Sequence, residues 1–338
     1  MPEQPTIAIT MGDPCGVGAE VIAKALALPE LRTLCRPLVI GDITVLQRAF
    51  DLVGTPLQAV AVSSPDDAVA NDAIAVLETP QGAGVAALSP GAIHPAAGRA
   101  SAEWIHTAAQ LALDGRVQAI CTAPVNKAAM QVGGSPDLDH QSIFKRLTGA
   151  SRVMTMLITT DLRVAHLTTH HSLSVACEHV TYDNILASLR LMHESFRTHG
   201  VPSARIGVAA LNPHGGEEGL LGSEEANAIA PAVLAAREEG IDATGPVPAD
   251  SVFPQAISGK YDVVLAMYHD QGHIAIKVQG WEESVTMNLG LPFLRTSVDH
   301  GTAFDITGKG IADATSMVSA IRLAAQVARE GRLPSVAS

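Results

Sequence analysis

Short runs of Val, Ile, Leu and Ala alternate along the chain with stretches of helical period. Near-continuous apolar runs stand at residues 6–10, 37–40, 117–121, 153–158, 163–167, 205–211 and 262–267. They are apolar at almost every position rather than at every second one, the pattern of strands buried on both faces. Between them, residues 20–28, 99–113, 182–197 and 223–238 read as helices, and 311–329 as a final one. The stretch at 223–238 opens on Ser223-Glu224-Glu225, acidic residues suited to the positive end of a helix dipole. Such alternation implies an α/β fold, a parallel or mixed sheet flanked by helices.

The clearest mid-chain cluster of breakers is Val132-Gly133-Gly134-Ser135-Pro136-Asp137, and a second crossing is expected near Asp299–Gly301. The reading is a first domain of residues 1–131 plus 300–338, to which the last helix returns, and a second domain of 132–299. A chain of 338 residues accommodates two such units.

Composition narrows the function classes. With 22 basic against 34 acidic residues the net charge is −12, which disfavours a nucleic-acid partner. Hydrophobic residues make up 47% and charged residues 17%, enough for a core and unlike a disordered chain. Mean hydropathy is +0.23, yet no apolar run approaches the roughly 20 residues of a membrane span, so no membrane partner is expected. Residues 1–10 lack a basic segment followed by an apolar one, so no secretory signal is read and the cytoplasm is the expected compartment. Cys15, Cys35, Cys121 and Cys177 form no CxxC pair and read as free thiols.

Chemistry concentrates where strand-like runs end. The first run leads into Met11-Gly12-Asp13-Pro14-Cys15-Gly16-Val17-Gly18, glycines that let backbone approach a ligand at a helix start, with Asp13 beside them. The spacing is not GxGxxG, and taken alone the segment is a tight turn between strand and helix. Of thirteen histidines, His170, His214 and His269 lie in polar, turn-forming sequence after strand-like runs, where open α/β sheets form ligand clefts. Singly, each reads as a hydrogen-bonded packing residue; jointly, three imidazoles would hold Zn²⁺ or a similar ion with a position left for substrate. His171 and His273 are neighbours that could replace one of the three. Lys277 and Arg295 are anion-binding candidates, Arg295 for its bidentate fork, and His140 at a helix start could add donors. A small-residue loop, Asp299 to Asp313, permits close approach to a flat ring or a pyrophosphate; otherwise it is a long surface loop.

Together these motifs resemble the 4-hydroxythreonine-4-phosphate dehydrogenase (PdxA) family from end to end. The resemblance is carried by MGDPCGVGAE at 11–20, CTAPVNK at 121–127, TTHHSL at 168–173 and LNPHGGE at 211–217. It continues in GPVPADSVF at 245–253, AMYHDQGHIAIK at 266–277 and LGLPFLRTSVDHGTAFDITGKGIAD at 289–313. It implies two α/β/α domains with a mixed, mostly parallel sheet, like isocitrate and isopropylmalate dehydrogenases, and a cleft between the domains. It implies a homodimer whose active site lies at the interface, with His170, His214 and His269 holding one divalent metal per subunit (Zn, Mg, Co or Mn), ligands coming from both subunits. Substrate contacts would come from His140, Gln141, Lys277, Thr286, Asn288 and Arg295. NAD or NADP would be bound by Gly12 and Asp13 and by the loop of His300, Gly301, Thr302, Ala303 and Asp313. Asp313 and the overall acidity favour NAD, since a second phosphate would want an Arg nearby.

The chain departs from the family at points that bear on substrate. Asp139-His140-Gln141 stands where Gly-His-Thr is common, placing an acid beside a phosphate pocket and removing a hydroxyl. Thr286-Met287-Asn288 stands where Asn-x-Thr is usual, and Cys15 and Ala19 replace Ala and Pro. The Pro-Val-Asn-Lys and HDQGHIxIK forms look more like the branch acting on 4-phospho-threonate or 4-phospho-erythronate than like the enzyme of vitamin B6 synthesis. The expected reaction is metal-dependent oxidation, with decarboxylation, of a small anionic 4-phosphorylated 3-hydroxy acid, with Asp250, Asp270 and Lys277 as candidates for proton transfer. Two rivals stand beside it: a cis-dihydrodiol dehydrogenase for an aromatic carboxylic acid such as terephthalate, and a non-catalytic metal- or nucleotide-binding homologue.

Overall fold

The computed structural model describes residues 4–335, so the outermost residues of the expected first domain, 1–3 and 336–338, lie outside it. The chain forms two compact units, one running to Ser151 and resuming over Leu291–Glu330, the other holding Arg152–Gly290 and the residues from Gly331 on.

The first unit begins with β1 (Thr6–Thr10), α1 (Gly18–Ala27), α2 (Pro29–Leu34), β2 (Arg36–Ile40), α3 (Ile43–Val53), β3 (Gln58–Val62) and β4 (Ala73–Leu77). It continues with α4 (Pro95–Leu113), β5 (Ala119–Thr122), α5 (Lys127–Val132) and α6 (His140–Thr148). The second unit comprises β6 (Met154–Ile158), β7 (Arg163–His166), α7 (Leu173–Glu178), α8 (Tyr182–Thr198), β8 (Ile206–Ala209) and α9 (Ala230–Glu238). After these come β9 (Ala243–Val247), α10 (Ala249–Ile257), β10 (Val263–Ala266), α11 (His269–Gly280) and β11 (Val285–Leu289). β12 (Leu294–Val298) and α12 (Thr315–Glu330) complete the first unit.

In the first unit the strands run in the order β3-β4-β2-β1-β5-β12, all parallel. In the second the order is β11-β6-β7-β10-β8-β9; β11 and β7 pair antiparallel with β6, and the remaining pairs are parallel. The sheet is thus mixed and mostly parallel, as the alternation of elements implied. β1, β5, β7, β8 and β10 are buried along their whole length, which is why, apart from β7 with its buried Arg163 and His166, they read as largely apolar runs. No helix among the described residues is long and apolar enough to cross a membrane.

The divisions between units fall after Ser151 and Gly290, not after residues 131 and 299 as the turn-forming clusters implied. The break at Val132–Asp137 is internal, because α5 is locked onto α4: a Cβ added to Gly98 would stand 1.9 Å from the Ala129 carbonyl oxygen. The Asp299–Gly301 crossing follows β12, which pairs with β5 and so is already in the first unit. At the C-terminus, the Leu333 N–H donates to the His199 carbonyl and the Arg163 guanidinium to the Pro334 carbonyl, holding these residues in the second unit.

One expected helix changes its winding near its start, and another begins late. The 223–238 stretch is a π turn, Glu225–Ile229, followed by α9. Pro231 has no N–H to offer the Asn227 carbonyl, and the turn before it widens to i→i+5. The last helix starts at Thr315 rather than 311, because the Asp313 carboxylate accepts the Thr315 N–H at 2.7 Å and ends the loop there.

Candidate functional site

In the first unit, β12 and the start of α6 build an anion pocket. Arg295 projects from β12, is only 5% exposed, and donates from Nη2 to the Thr122 hydroxyl at the end of β5, 2.6 Å away. That hydroxyl donates onward to Ser297 Oγ at 2.8 Å. The guanidinium lies 5.8 Å from the Phe144 ring centre, and Phe293 meets the same ring edge-on at 5.5 Å. Burial lowers the Arg295 pKa to about 10, against the raising influence of Cys121 and Asp139; the group stays cationic at neutral pH.

His140 begins α6 and stacks over Phe144 with ring centres 6.5 Å apart. Its Nε2 is buried without a hydrogen-bond partner. Burial holds the imidazole well below its ordinary pKa, the Arg295 charge lowers it further, and a bond with the Ala123 backbone opposes both. A cationic guanidinium close to a buried imidazole nitrogen is a donor set suited to an anion. Asp139, expected to disfavour such an anion, is the N-cap of α6, accepting the Ser142 N–H at 2.8 Å, and lies 3.9 Å from Lys127, while its charge also acts on Arg295. Gln141 follows in the first turn, half-exposed.

The expected nucleotide segments meet in the same unit. Gly12 has φ +74°, and a Cβ there would stand 2.2 Å from the Pro124 carbonyl oxygen. The Val17 N–H donates to the Thr302 carbonyl at 3.0 Å, and a Cβ on Gly16 would meet Thr302 at 2.9 Å. Ala303 takes the left-handed conformation, φ 43°, while Gly301 faces open space. The His300 ring sits on the Gly301 carbonyl at 2.9 Å. The glycine-rich turn thus packs on the small-residue loop, with bare backbone at Gly301. Asp313, expected to face the cofactor, is seen capping α12.

Asp13 is 1% exposed; Oδ1 accepts the Cys15 N–H at 2.8 Å and Oδ2 has no partner. Burial raises its pKa from 3.8 to about 6, overriding the Cys15 bond and nearby His94. A carboxyl held above its unfolded value destabilises the fold once ionised, so its cost is small below pH 4, grows between pH 4 and 6, and reaches about 3 kcal/mol above that. Asp13→Asn is therefore expected to gain stability over wild type by up to about 3 kcal/mol at pH 8 and far less at pH 4. Urea unfolding at the two pH values measures the difference; a gap that does not widen with pH rules the effect out.

The second unit holds the expected metal ligands. His269 begins α11, its Nδ1 bonded to Asp270 Oδ1 at 2.7 Å, and His273 one turn on stacks against it with ring centres 3.6 Å apart. The bond to Asp270 fixes the tautomer with Nε2 available, the arrangement of a metal-binding imidazole backed by a carboxylate. Asp270, expected among the proton-transfer groups, thus orients His269. Behind them the fully buried His166 packs on His273 at 4.6 Å. His170 lies in an exposed turn, 6.2 Å from His269 between ring centres. His171 instead stacks on His179 at 4.9 Å.

His214 opens a left-handed turn: residues 214–218 have φ of 54, 72, 82, 43 and 56°. Glu225, buried in the π turn, anchors it by accepting the Leu211 and Asn212 N–H groups at 2.8 and 2.7 Å and Asn212 Nδ2 at 2.9 Å. Among the described residues no group of three His, Cys, Asp or Glu is arranged to hold a metal. One chain therefore brings His170 and His269 together and leaves His214 apart from them. In chemistry the donors suit a divalent ion, but one chain alone does not close the set.

Of the other expected residues in this unit, Lys277 lies on α11 with Nζ 4.6 Å from the Trp281 ring centre. Thr286 and Asn288 share a face of β11, Thr286 half-exposed and Asn288 buried. Asp250 is exposed in the first turn of α10, bonded to Ser251. Sequence reasoning did not single out Thr122 or Phe144, and met Glu225 only as a helix-start acid and Glu20 only as the end of the first motif, although Glu20 and Lys24 already stood at helical spacing.

Residues 33–324 match the family described as pyridoxal phosphate biosynthetic protein PdxA. The chain is 45% identical to the D-threonate 4-phosphate dehydrogenase of Cupriavidus necator, over 96% of this chain and 97% of that one. It is 43% identical to the 4-hydroxythreonine-4-phosphate dehydrogenase of Geobacter metallireducens, over 96% of both. A crystal structure of a 4-hydroxythreonine-4-phosphate dehydrogenase from Burkholderia phymatum superposes with a TM-score of 0.86 at 42% identity, covering 96% of this chain and 98% of that one. With its strands in this order and these motifs on their ends, the chain belongs to the PdxA family of dehydrogenases, oxidoreductases acting on a CH–OH group.

Proposed function

We propose that the protein oxidises a small 4-phosphorylated 3-hydroxy acid, 4-phospho-D-threonate or 4-phosphohydroxy-L-threonine, with NAD(P) and a divalent metal, and that the β-keto acid formed loses CO₂. The observation that carries this is the buried Arg295 guanidinium beside the unpartnered Nε2 of His140. A hydroxy acid without a phosphate would place no dianion against this guanidinium and imidazole. The relatives that act on D-threonate 4-phosphate and on 4-hydroxythreonine 4-phosphate support the substrate class.

Arg295, His140 and Gln141 bind the phosphate, while Lys277, Thr286 and Asn288 orient the carboxylate end and the hydroxyl. Lys277 and Asp250 are the proton-transfer groups, since Asp270 is occupied with His269 Nδ1. Gly12, Asp13 and residues 300–303 hold the nicotinamide nucleotide. His170, His214 and His269 hold the metal, the set being completed between two copies of the chain in a homodimer. When bound, NAD(P) accepts the hydride, and the metal lowers the hydroxyl pKa and polarises the oxygen left on loss of CO₂.

The test is NADH formation with Mg²⁺ or Zn²⁺ against 4-phosphohydroxy-L-threonine, 4-phospho-D-threonate and a cis-dihydrodiol of an aromatic carboxylic acid. Turnover of a phosphorylated acid, inhibited competitively by inorganic phosphate, is expected. Turnover of the diol alone would replace this reading with the phosphate-free one.

A further inference from the structure

A single ion pair on α1 clamps the far end of the small-residue loop. Glu20, 4% exposed, accepts the Ala312 N–H on Oε1 at 2.7 Å and the Gly310 N–H on Oε2 at 3.3 Å. Lys24, one turn later, spends its three donors on Glu20 Oε1 at 3.0 Å, the Gly310 carbonyl at 3.0 Å and the Ala312 carbonyl at 2.6 Å. Gly310 is left-handed, φ 71°, so both its polar groups turn towards α1 and are taken up by one pair. The loop's near end is fixed to the same stretch of chain, through the Val17 N–H on the Thr302 carbonyl. Residues 16–24 thus hold the loop at 302 and at 310–312. The turns between these points are closed by bonds of the loop's own, Ile306 N–H to Ala303, Lys309 N–H to Ile306 and the Thr307 hydroxyl to the Ala303 carbonyl.

We propose that Glu20 and Lys24 are positioning residues that preset loop 300–313 for the nicotinamide nucleotide, setting its affinity without touching it. The inference rests on the reading of that loop as the nucleotide segment. A loop ordered beforehand binds more tightly because ordering is not charged to the binding step, and a partly buried pair whose ammonium has all three donors engaged orders more firmly than a surface pair. A merely structural pair would shift the melting temperature and leave nucleotide affinity per folded molecule unchanged.

The experiment measures NAD⁺ affinity by calorimetry, and KM for NAD⁺ and kcat by steady-state kinetics. The variants are Lys24→Met, Lys24→Arg and the double variant Glu20→Gln with Lys24→Gln. Lys24→Met is expected to raise Kd and KM for NAD⁺ about tenfold with kcat at saturation unchanged, since both carbonyl contacts are lost. Lys24→Arg should recover most of the affinity. The double variant bears no buried charge and reports on the clamp if Lys24→Met does not fold. Wild-type NAD⁺ affinity in a folded Lys24→Met or in the double variant overturns the proposal. Gly301→Val separates the two layers, because its side chain would enter open space. If Gly301→Val binds NAD⁺ as wild type does, the loop is not the nucleotide segment and the reading beneath the proposal falls. If it weakens binding and the clamp variants do not, only the clamp falls.

Discussion

Arg295→Met is expected to raise KM for a phosphorylated substrate by about 100-fold, because truncating one partner of a buried charged contact costs 2–5 kcal/mol. The phosphate does not change during hydride transfer, so its binding energy is uniform between ground and transition state, and kcat should stay within a few-fold. The stability of the unliganded protein should change little. Thr122 loses a donor, at a cost of about 1 kcal/mol, while a buried cation whose pKa burial has pulled down to about 10 is removed. Arg295→Lys keeps the charge without the planar fork and should fall between, at about tenfold. Steady-state kinetics with the phosphorylated acid, alongside the inhibition constant of inorganic phosphate, makes the measurement. An unchanged KM in Arg295→Met would place the phosphate elsewhere.

The residues behind that prediction sit on the part of the fold least legible in the sequence. β1, β5, β8 and β10 announce themselves because burial on both faces demands largely apolar runs. β12 is buried just as completely, yet its sequence, Leu-Arg-Thr-Ser-Val, has no such run, because Arg295, Thr296 and Ser297 are satisfied by one another's neighbours. Arg295 and Ser297 bond to Thr122, and Thr296 bonds to the Ala320 carbonyl. β11, with Thr286 and Asn288, is masked in the same way. Functional strands carry polar residues that the local pattern does not favour, and long-range hydrogen bonds make up the difference.

α11 was hidden for a related reason. Its first half, His-Asp-Gln-Gly-His, is poor helix-forming sequence. Gly272 is required because a Cβ there would stand 2.3 Å from His166 Nε2, so the helix is set by the buried imidazole beneath it. The edge strand β3, largely exposed, was missed because it lacks the signature of its buried neighbours. The histidine motifs were legible as residues but not as an assembly. The sequence could not tell His171 from His170, nor show that Asp270 faces His269; those depend on which way a turn throws each ring. Asp139 also serves as an N-cap, because an acid at a helix start satisfies backbone N–H groups, a role its position before His140 already allowed.

His269→Ala should lower kcat by about 1,000-fold and abolish tight Co²⁺ binding, since a Lewis acid at the reacting oxygen is worth several kcal/mol. His214→Ala should do the same if the left-handed turn held by Glu225 delivers that imidazole to the metal; three non-glycine residues of that turn, His214, Glu217 and Glu218, are at positive φ, a costly conformation to maintain otherwise. Asp270→Asn should weaken metal affinity by about 10- to 100-fold while leaving the ligands in place, because it disturbs the Nδ1 partner and the ring orientation. His171→Ala is the control, its ring being stacked on His179. If the metal set proposed above is completed between two copies of the chain, a mixture of inactive His214→Ala and His269→Ala chains should regain activity through hybrid dimers. Co²⁺ absorption and sedimentation of the mixture test both points. Full turnover of His269→Ala in chelating buffer would remove the metal from the reaction.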